Sequence, residues 1–586
     1  MTTPAAPATP AADADPAVDV GYLHLLVAGA DAAADAHLRR GPGQVAALPH
    51  REAMRAVKDL LAVRTCPASR HAGSARALAA TAPLLEHLES LQHPDGLFDG
   101  DNLASPPDSS FTVTDACLAL RLVARSGDPE LEDLAQRLRG TARRAAPALL
   151  TGGVHTPNHR WELAAALAHL HELLGEPALL ERARQWLAEG VDADADGQYS
   201  ERSANYAAHV TNPALLTLAR AAGRPDLLDV VRANLRTTAA LTDAAGEVET
   251  VHSRRQDQRE RFDAGAFLSQ WRLFAVLDAD PLLVAAVRAA LRRPVPAPEH
   301  HLAELLLDER LARPLPDAPA PPAESRTALP VSGLVRTVTG GSTVTVFGGG
   351  DHHRFPVVAS GLAHSSTFLR LRHGRAVLDA VRLSPHFFGT GPFRADGLRE
   401  DGDALVLRES RTARYYQPLP PQRRSPAGEY RLEHEGRFHA AMSFSQRPAD
   451  ELHLGTEVRV RTTRTGDGTL TEVDAAFTGT PTSWVLALTF RDGGRFSGVQ
   501  PGPGGTLLLA EGTGAYRVGD DEVEFGPGHG AGPDRPARFD PGEQVAYPGG
   551  ADDVPGRTVL ITGRTTAPLR LLLRARTLPG AGEGRS

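Results

Sequence analysis

The stretch Arg313 to Pro330, RPLPDAPAPPAESRTALP, divides the chain into two chemically different halves. Proline lacks an N–H and fixes φ, so a helix cannot run through this segment and an extended linker is expected. Upstream, from about Val20 to Leu311, apolar residues return at helical spacing: Leu163, Leu167, Leu170 and Leu174, then Leu215-Leu216 with Leu218-Ala219, then Leu227-Leu228 with Val231. About a dozen helices are expected there, joined by turns such as Gly175-Glu176-Pro177, Gly223-Arg224-Pro225-Asp226 and Asp278-Ala279-Asp280-Pro281. Paired antiparallel helices in that number close into a bundle, a solenoid or an α/α toroid. Downstream the period becomes two, at Ser342-Thr343-Val344-Thr345-Val346-Phe347, Thr367 to Arg372, Glu457 to Arg461 and Thr506 to Ala510, with turns such as Arg491-Asp492-Gly493-Gly494. An antiparallel β-sandwich is expected, with one sheet face turned to water or to the helices.

The domain plan is therefore a tail over 1–19, a helical domain over 20–312, the linker over 313–330, a sandwich over 331–576 and a flexible tail over 577–586. At 586 residues the chain is long enough for two or three cores, and 41% hydrophobic with 23% charged residues is an ordinary globular balance. No stretch approaches the roughly 20 apolar residues of a membrane span, and the opening Ala/Pro/Thr/Asp run has neither the basic start nor the apolar core of an export signal. A soluble, cytoplasmic protein without a membrane partner is expected. Cys66 and Cys117 are too few for a disulfide framework and read as small buried hydrophobes. Net charge is −8 and Lys58 is the only lysine among 63 basic residues, so the cations are dispersed arginines; this argues against nucleic acid, which requires a concentrated basic face.

Two segments carry chemistry. Thr156-Pro157-Asn158-His159-Arg160-Trp161-Glu162 and Tyr199-Ser200-Glu201-Arg202-Ser203-Ala204-Asn205-Tyr206 each join polar groups to a helix start, and the second ends on a tyrosine, which can lose and return a proton. Simpler readings stand beside these. Asn158 after Pro157 is a natural helix cap, and Tyr206 suits an amphipathic core position. His155 and His159 are four apart, yet Pro157 lies between them and no third zinc ligand is evident.

An Asn-His pair opening a helix, then Glu-x-Ser-x-x-Tyr, then a sandwich histidine followed by Phe368 to Asp379 resembles the heparinase II/III-like polysaccharide lyases. That resemblance implies a multidomain α+β fold, an N-terminal (α/α) toroid followed by a C-terminal antiparallel β-sandwich, and an acidic oligosaccharide or polysaccharide as substrate with no nucleotide or redox cofactor. It implies that Tyr206 is base and acid, that Asn158 and His159 bind the substrate carboxylate, and that His364 assists. Two departures stand out: the family's His-x-His-Ala-Asp is here Leu362-Ala363-His364-Ser365-Ser366, and Ala207, not His, follows Tyr206. A structural divalent metal in the sandwich and a homodimer are left open.

Elimination must remove a proton beside an ionised carboxylate, so the site must neutralise that charge. Asn158 and His159 offer hydrogen bonds, Arg160, Arg254 or Arg255 a guanidinium clamp, and cationic neighbours favour the phenolate of a tyrosine. Further substrate-binding candidates are Asn102 and Asp108 in the stretch before an inner helix, Glu201 and Asn205 beside Tyr206, Gln256 in the run His252 to Gln258, and Arg382 and Arg394 flanking Phe387 and Phe388. Two other functions fit the same residues: a glycoside hydrolase using two of Asp108, Glu162, Asp196 and Glu201, or a protein that grips acidic glycans and turns nothing over.

Overall fold

The computed structural model describes residues 18–100, 102–352, 362–434, 441–530, 538–546 and 552–579. Helices occupy the first half. His50–Thr65, Pro106–Ser126, His159–Leu174 and Leu268–Asp278 are buried over most of their circumference, so they form an inner layer. Ala75–Leu91, Glu132–Thr151, Pro177–Leu187 and Pro281–Ala290 bury one stripe and wet the rest, and each packs on the inner helix before it. Pro106–Ser126 and His159–Leu174 each end on a glycine in the left-handed region, Gly127 at φ 62° and Gly175 at φ 70°, where a side chain would be strained.

His50–Thr65 packs on Pro106–Ser126, that helix on His159–Leu174, and His159–Leu174 on Asn212–Ala221; Leu268–Asp278 packs on Pro298–Leu307, which also receives the first helix, Val20–Leu38, and packs on His50–Thr65. The helices therefore close into an α/α toroid. Arg272, with no exposed surface, makes the seam: its Nε donates to the Leu311 carbonyl at 2.6 Å, and Nη2 to Asp19 Oδ2 at 2.7 Å and the Arg313 carbonyl at 2.8 Å. Asp19 also caps Val20–Leu38 through Tyr22 N at 3.0 Å, so the end of the stretch read as a tail is built into the ring. Residues 1–17 and 580–586 lie outside the described residues.

The second half is a sandwich of a nine-stranded and an eight-stranded sheet among the described residues. Val344, Leu371, Val458, Val473, Trp484, Phe490, Leu571 and Leu573 fill the space between them. Pairing is antiparallel except for Leu507–Leu508, which runs parallel to Arg557–Arg564. The strand Ser325–Leu329 forms an edge of the nine-stranded sheet, so the second half of the stretch read as linker is sheet; Pro330 ends it, as proline tolerates a strand edge but not its interior.

The nine-stranded sheet meets the toroid through arginines. Arg370 pairs with Glu249 at 2.6 Å, Arg372 with Asp243 at 2.6 Å and Glu247 at 2.9 Å, and Arg491 with Glu247 at 2.7 Å and Asp379 at 2.8 Å. These residues enclose a cavity of about 110 Å³ that Arg336 also lines. Among the described residues no helix is long and apolar enough to cross a membrane.

Removing the seam arginine leaves Asp19 and two carbonyls without their donor. Arg272→Leu is expected to lower stability by about 3 kcal/mol, read from denaturant unfolding followed by far-ultraviolet circular dichroism, and Asp19→Asn by less. A midpoint unchanged in Arg272→Leu would show that the ring closes without this contact.

Candidate active site

The starts of the inner helices gather at one mouth of the ring. Arg51, near the start of His50–Thr65, pairs with Asp108 in the first turn of Pro106–Ser126, and His50 Nδ1 lies 2.7 Å from Thr112 Oγ1. Next in the ring is His159–Leu174. Asn158 occupies its cap position but makes no capping hydrogen bond, because its own backbone is already helical at φ −67°, ψ −28°. Its Oδ1 instead accepts from Thr156 Oγ1 at 2.8 Å, and the buried Nδ2 has no hydrogen-bond partner among the described residues. The capping account of Asn158 thus fails, and an amide donor is left for something else.

Tyr206 follows on the next segment. Ser203 caps that turn, accepting from Tyr206 N at 3.2 Å, and Asp257 fastens it from below, accepting from Ser203 Oγ at 2.9 Å and Asn205 N at 3.2 Å. Asp257 also takes the hydroxyl of Ser253, so one buried carboxylate ties the tyrosine's helix start to the loop carrying Arg255. Arg255 Nη2 donates to the Tyr206 hydroxyl at 2.9 Å, with its guanidinium 4.6 Å from the ring centroid. Tyr206 is half-buried, so its hydroxyl is not sealed in the core. Glu201 lies 3.4 Å from Arg255; burial pushes its carboxyl up to about 7, against the opposing charge of Arg255. Between them, Arg202 sits at φ 49°, an uncommon conformation for a side chain this large, held by Nη2 to the Val331 carbonyl at 3.0 Å.

His159 belongs to the same electrostatic neighbourhood. Burial lowers its imidazole to about 4, with His155, Arg51 and Arg255 adding to the shift and Asp108 opposing it. At neutral pH it is an uncharged donor and acceptor, not the cation that a sugar acid would first suggest, and the positive charge of the mouth comes from arginine. His155 and His159 stack edge to face at 4.9 Å. Among the described residues no group of three His, Cys, Asp or Glu side chains is arranged to hold a metal ion.

The sandwich contributes one loop. Arg254 grips Asp351 with two hydrogen bonds of 2.8 Å, Asp351 accepts from Ala363 N at 3.0 Å, and Gln258 Nε2 donates to the carbonyls of Leu362 at 3.0 Å and Arg255 at 3.2 Å. His364, next in the chain, is thereby placed beside the loop that carries Arg255, and its ring lies edge to face with His352 at 6.3 Å. Burial, with the charge of Arg394, lowers its imidazole.

Several sequence candidates are spent elsewhere. Arg160 is taken by Glu189 at 2.8 Å and Asp192 at 3.1 Å. Arg254 is committed to Asp351. Arg382 is buried against Phe539 and bonds the Asp552 carbonyl, and Arg394 donates to the His364 carbonyl at 2.9 Å. Arg382 and Arg394 are interior fasteners, because an unpaired guanidinium in the core is too costly to keep for a ligand, while Arg160 and Arg254 are half-buried and already paired. Asn102 and Gln256 are exposed, and Asn205 is exposed beside Tyr206. The polar run His252 to Gln258 is not a solvated face: His252, Ser253, Asp257 and Gln258 are all buried. Sequence reading missed Arg51, Asp257 and Asp351, whose distant partners Asp108, Ser203 and Arg254 lie 57, 54 and 97 positions away. The interdomain cavity does not include Tyr206, Asn158 or His159.

No family model matches the chain, and no curated protein is similar to it in sequence. Solved structures are similar in fold. Heparinase III aligns over 92% of this chain and 78% of its own, at 11% identity and a TM-score of 0.51. A Paenibacillus xanthan lyase aligns over 96% of this chain and 58% of its own, at 9% identity and a TM-score of 0.52. The chain has the toroid-plus-sandwich fold of heparinase-like polysaccharide lyases.

The buried titratable groups set the stability profile. His50, His159 and His252 are each lowered from 6.5 to about 4, mainly by desolvation, so the unfolded chain binds more protons between those values. Their stabilising contribution is full above pH 6.5 and lost as pH falls through about 4. Glu162 and Glu201, raised from 4.5 to about 7, act oppositely, contributing fully below 4.5 and losing it as pH rises through about 7. Histidines outnumber glutamates, so the thermal midpoint is expected to climb from pH 4.5 to 6.5; a flat or falling midpoint over that window contradicts these environments.

Proposed function

We propose that the protein is a polysaccharide or oligosaccharide lyase that cleaves glycans containing uronic acid by β-elimination. The carrying observation is the hydroxyl of half-buried Tyr206 accepting from Arg255 at a mouth where Asn158 Nδ2 and His159 Nδ1 have no hydrogen-bond partner among the described residues. The fold shared with heparinase III and a xanthan lyase supports the same class.

In this reading Arg255 stabilises the phenolate of Tyr206, and Asn158 Nδ2 and an N–H of neutral His159 hydrogen-bond the substrate carboxylate. Tyr206 takes the C5 proton. The electron pair forms the C4–C5 double bond as the C4–O4 bond breaks, and the Tyr206 hydroxyl returns the proton to O4 of the departing sugar. No water is consumed. His364 assists from the sandwich side. Glu201 acts through Arg255: ionised above about pH 7, it pairs with the guanidinium, and protonated below, it frees that guanidinium for the phenolate and the substrate.

One observation favours a second reading. A carboxyl titrating near 7, as Glu201 does, is suited to general acid catalysis of hydrolysis, with Asp108 as its partner. The products distinguish them: elimination leaves an ultraviolet-absorbing unsaturated sugar, and hydrolysis leaves none. Incubation with a panel of acidic oligosaccharides is expected to yield the unsaturated product. Tyr206→Phe is expected to lower kcat by roughly 10²–10⁴-fold with KM nearly unchanged. Saturated products, or full activity in Tyr206→Phe, would sink the elimination mechanism.

A further inference from the structure

The stretch 362–367, which carries His364, belongs to no helix or strand. A segment without a backbone ladder takes its position from the side chains that bond its polar groups. On the toroid side those are Gln258 at the Leu362 carbonyl and Asp351, held by Arg254, at Ala363 N. On the other side the support comes from a distant part of the chain. Ser366 Oγ donates to Asp552 Oδ2 at 2.8 Å, across 186 positions, and Arg394 Nε donates to the His364 carbonyl at 2.9 Å. The two contacts converge, because Arg394 Nη2 lies 3.5 Å from the same Asp552 oxygen.

One carboxylate oxygen thus braces the loop at His364 and again at Ser366. Arg382 fixes the carboxylate in turn: its Nη1 bonds the Asp552 carbonyl and lies 3.9 Å from Oδ2, while its guanidinium covers the Phe539 ring at 4.4 Å. The side chains of Asp552, Arg394 and Arg382 are 12%, 9% and 5% exposed, so water screens these charges little. Burial disfavours the charged form of both guanidiniums, and the charge of Asp552 opposes that effect at each. Without the carboxylate, two covered cations would repel each other beside His364, and Arg394 would gain by turning away from the carbonyl it now holds.

We propose that Asp552 is a positioning residue, which sets the place of His364 at the sandwich side of the mouth through Ser366 and Arg394. It rests on the lyase reading, in which His364 assists, and adds to it a residue from the last strand's approach. The action is indirect and has two arms. Asp552→Asn keeps an oxygen for the Ser366 hydroxyl and removes the charge from between the arginines. Ser366→Ala does the reverse, removing the hydroxyl and leaving the charge.

The test compares wild type with Asp552→Asn, Ser366→Ala and Ser366→Thr, each also on a His364→Ala background. Steady-state kinetics on acidic oligosaccharides are read beside amide hydrogen exchange, resolved by peptide. Asp552→Asn is expected to lower kcat roughly tenfold with KM within about twofold, and Ser366→Ala to lower it less. Ser366→Thr, which keeps the hydroxyl, recovers the rate. On the His364→Ala background neither loss recurs, since a residue acting through His364 has nothing left to position there. Exchange over 362–368 is expected to rise about tenfold in Asp552→Asn, with the ring helices and the remaining strands unchanged. Losses that add in the double variants, an unchanged kcat in Asp552→Asn, or a rise in KM alone overturns the assignment. So does faster exchange throughout the sandwich, which would make Asp552 a general support of that domain. If wild type cleaves no oligosaccharide, the lyase reading fails; faster exchange confined to 362–368 then still supports Asp552 as the brace of His364, and unchanged exchange there overturns it.

Discussion

The hydrogen bond from Arg255 to the Tyr206 hydroxyl is the contact on which the rest of the site turns. The proposed reaction asks the phenol to move a proton, and the guanidinium is the donor that meets its oxygen. Holding the two together is the task of Asp257, which bonds both the start of the tyrosine's helix and the serine two residues before Arg255. The next arginine in the chain, Arg254, reaches the other way, to Asp351, and fixes the sandwich loop that carries His364. One loop of the toroid thus positions the tyrosine on one side and the second domain on the other.

The mouth also departs from the rule that buried polar groups are paired. Among the described residues, Asn158 Nδ2, His159 Nδ1, Asp108 Oδ2 and Arg255 Nε have no hydrogen-bond partner. Unpaired donors and acceptors cost stability, of order 1–3 kcal/mol each, and such groups concentrate where a ligand completes them. The strained backbone at Arg202 lies in the same few residues. Stability lost at the mouth is offset by the ring seam at Arg272 and by the dense ion pairing between the domains.

Toroid closure gives this mouth its depth. Because inner helices pack side by side and begin at one end, residues one turn apart on each helix form successive rings of side chains facing a common opening. The side chains at the mouth are Arg51, Asp108, Asn158, His159 and Tyr206.

The order of helices and strands was legible in the sequence, because the apolar period of each element is a local property and the proline-rich stretch after Leu311 marks the change from one period to the other. So was the placement of Asn158, His159 and Tyr206 at helix starts. Tertiary structure alone decided which arginines are open. Arg160, Arg254, Arg255, Arg382 and Arg394 look alike in the sequence, yet Arg160, Arg254, Arg382 and Arg394 are consumed by partners such as Glu189, Asp351 and Asp552, which lie 29 to 170 positions distant in the chain. The same holds for the edge strand Ser325–Leu329, whose short polar pattern becomes sheet only because Leu334–Thr339 offers it a ladder. The physical reason is common to both: pairing energy depends on distance in space, and the fold sets that distance where sequence spacing cannot.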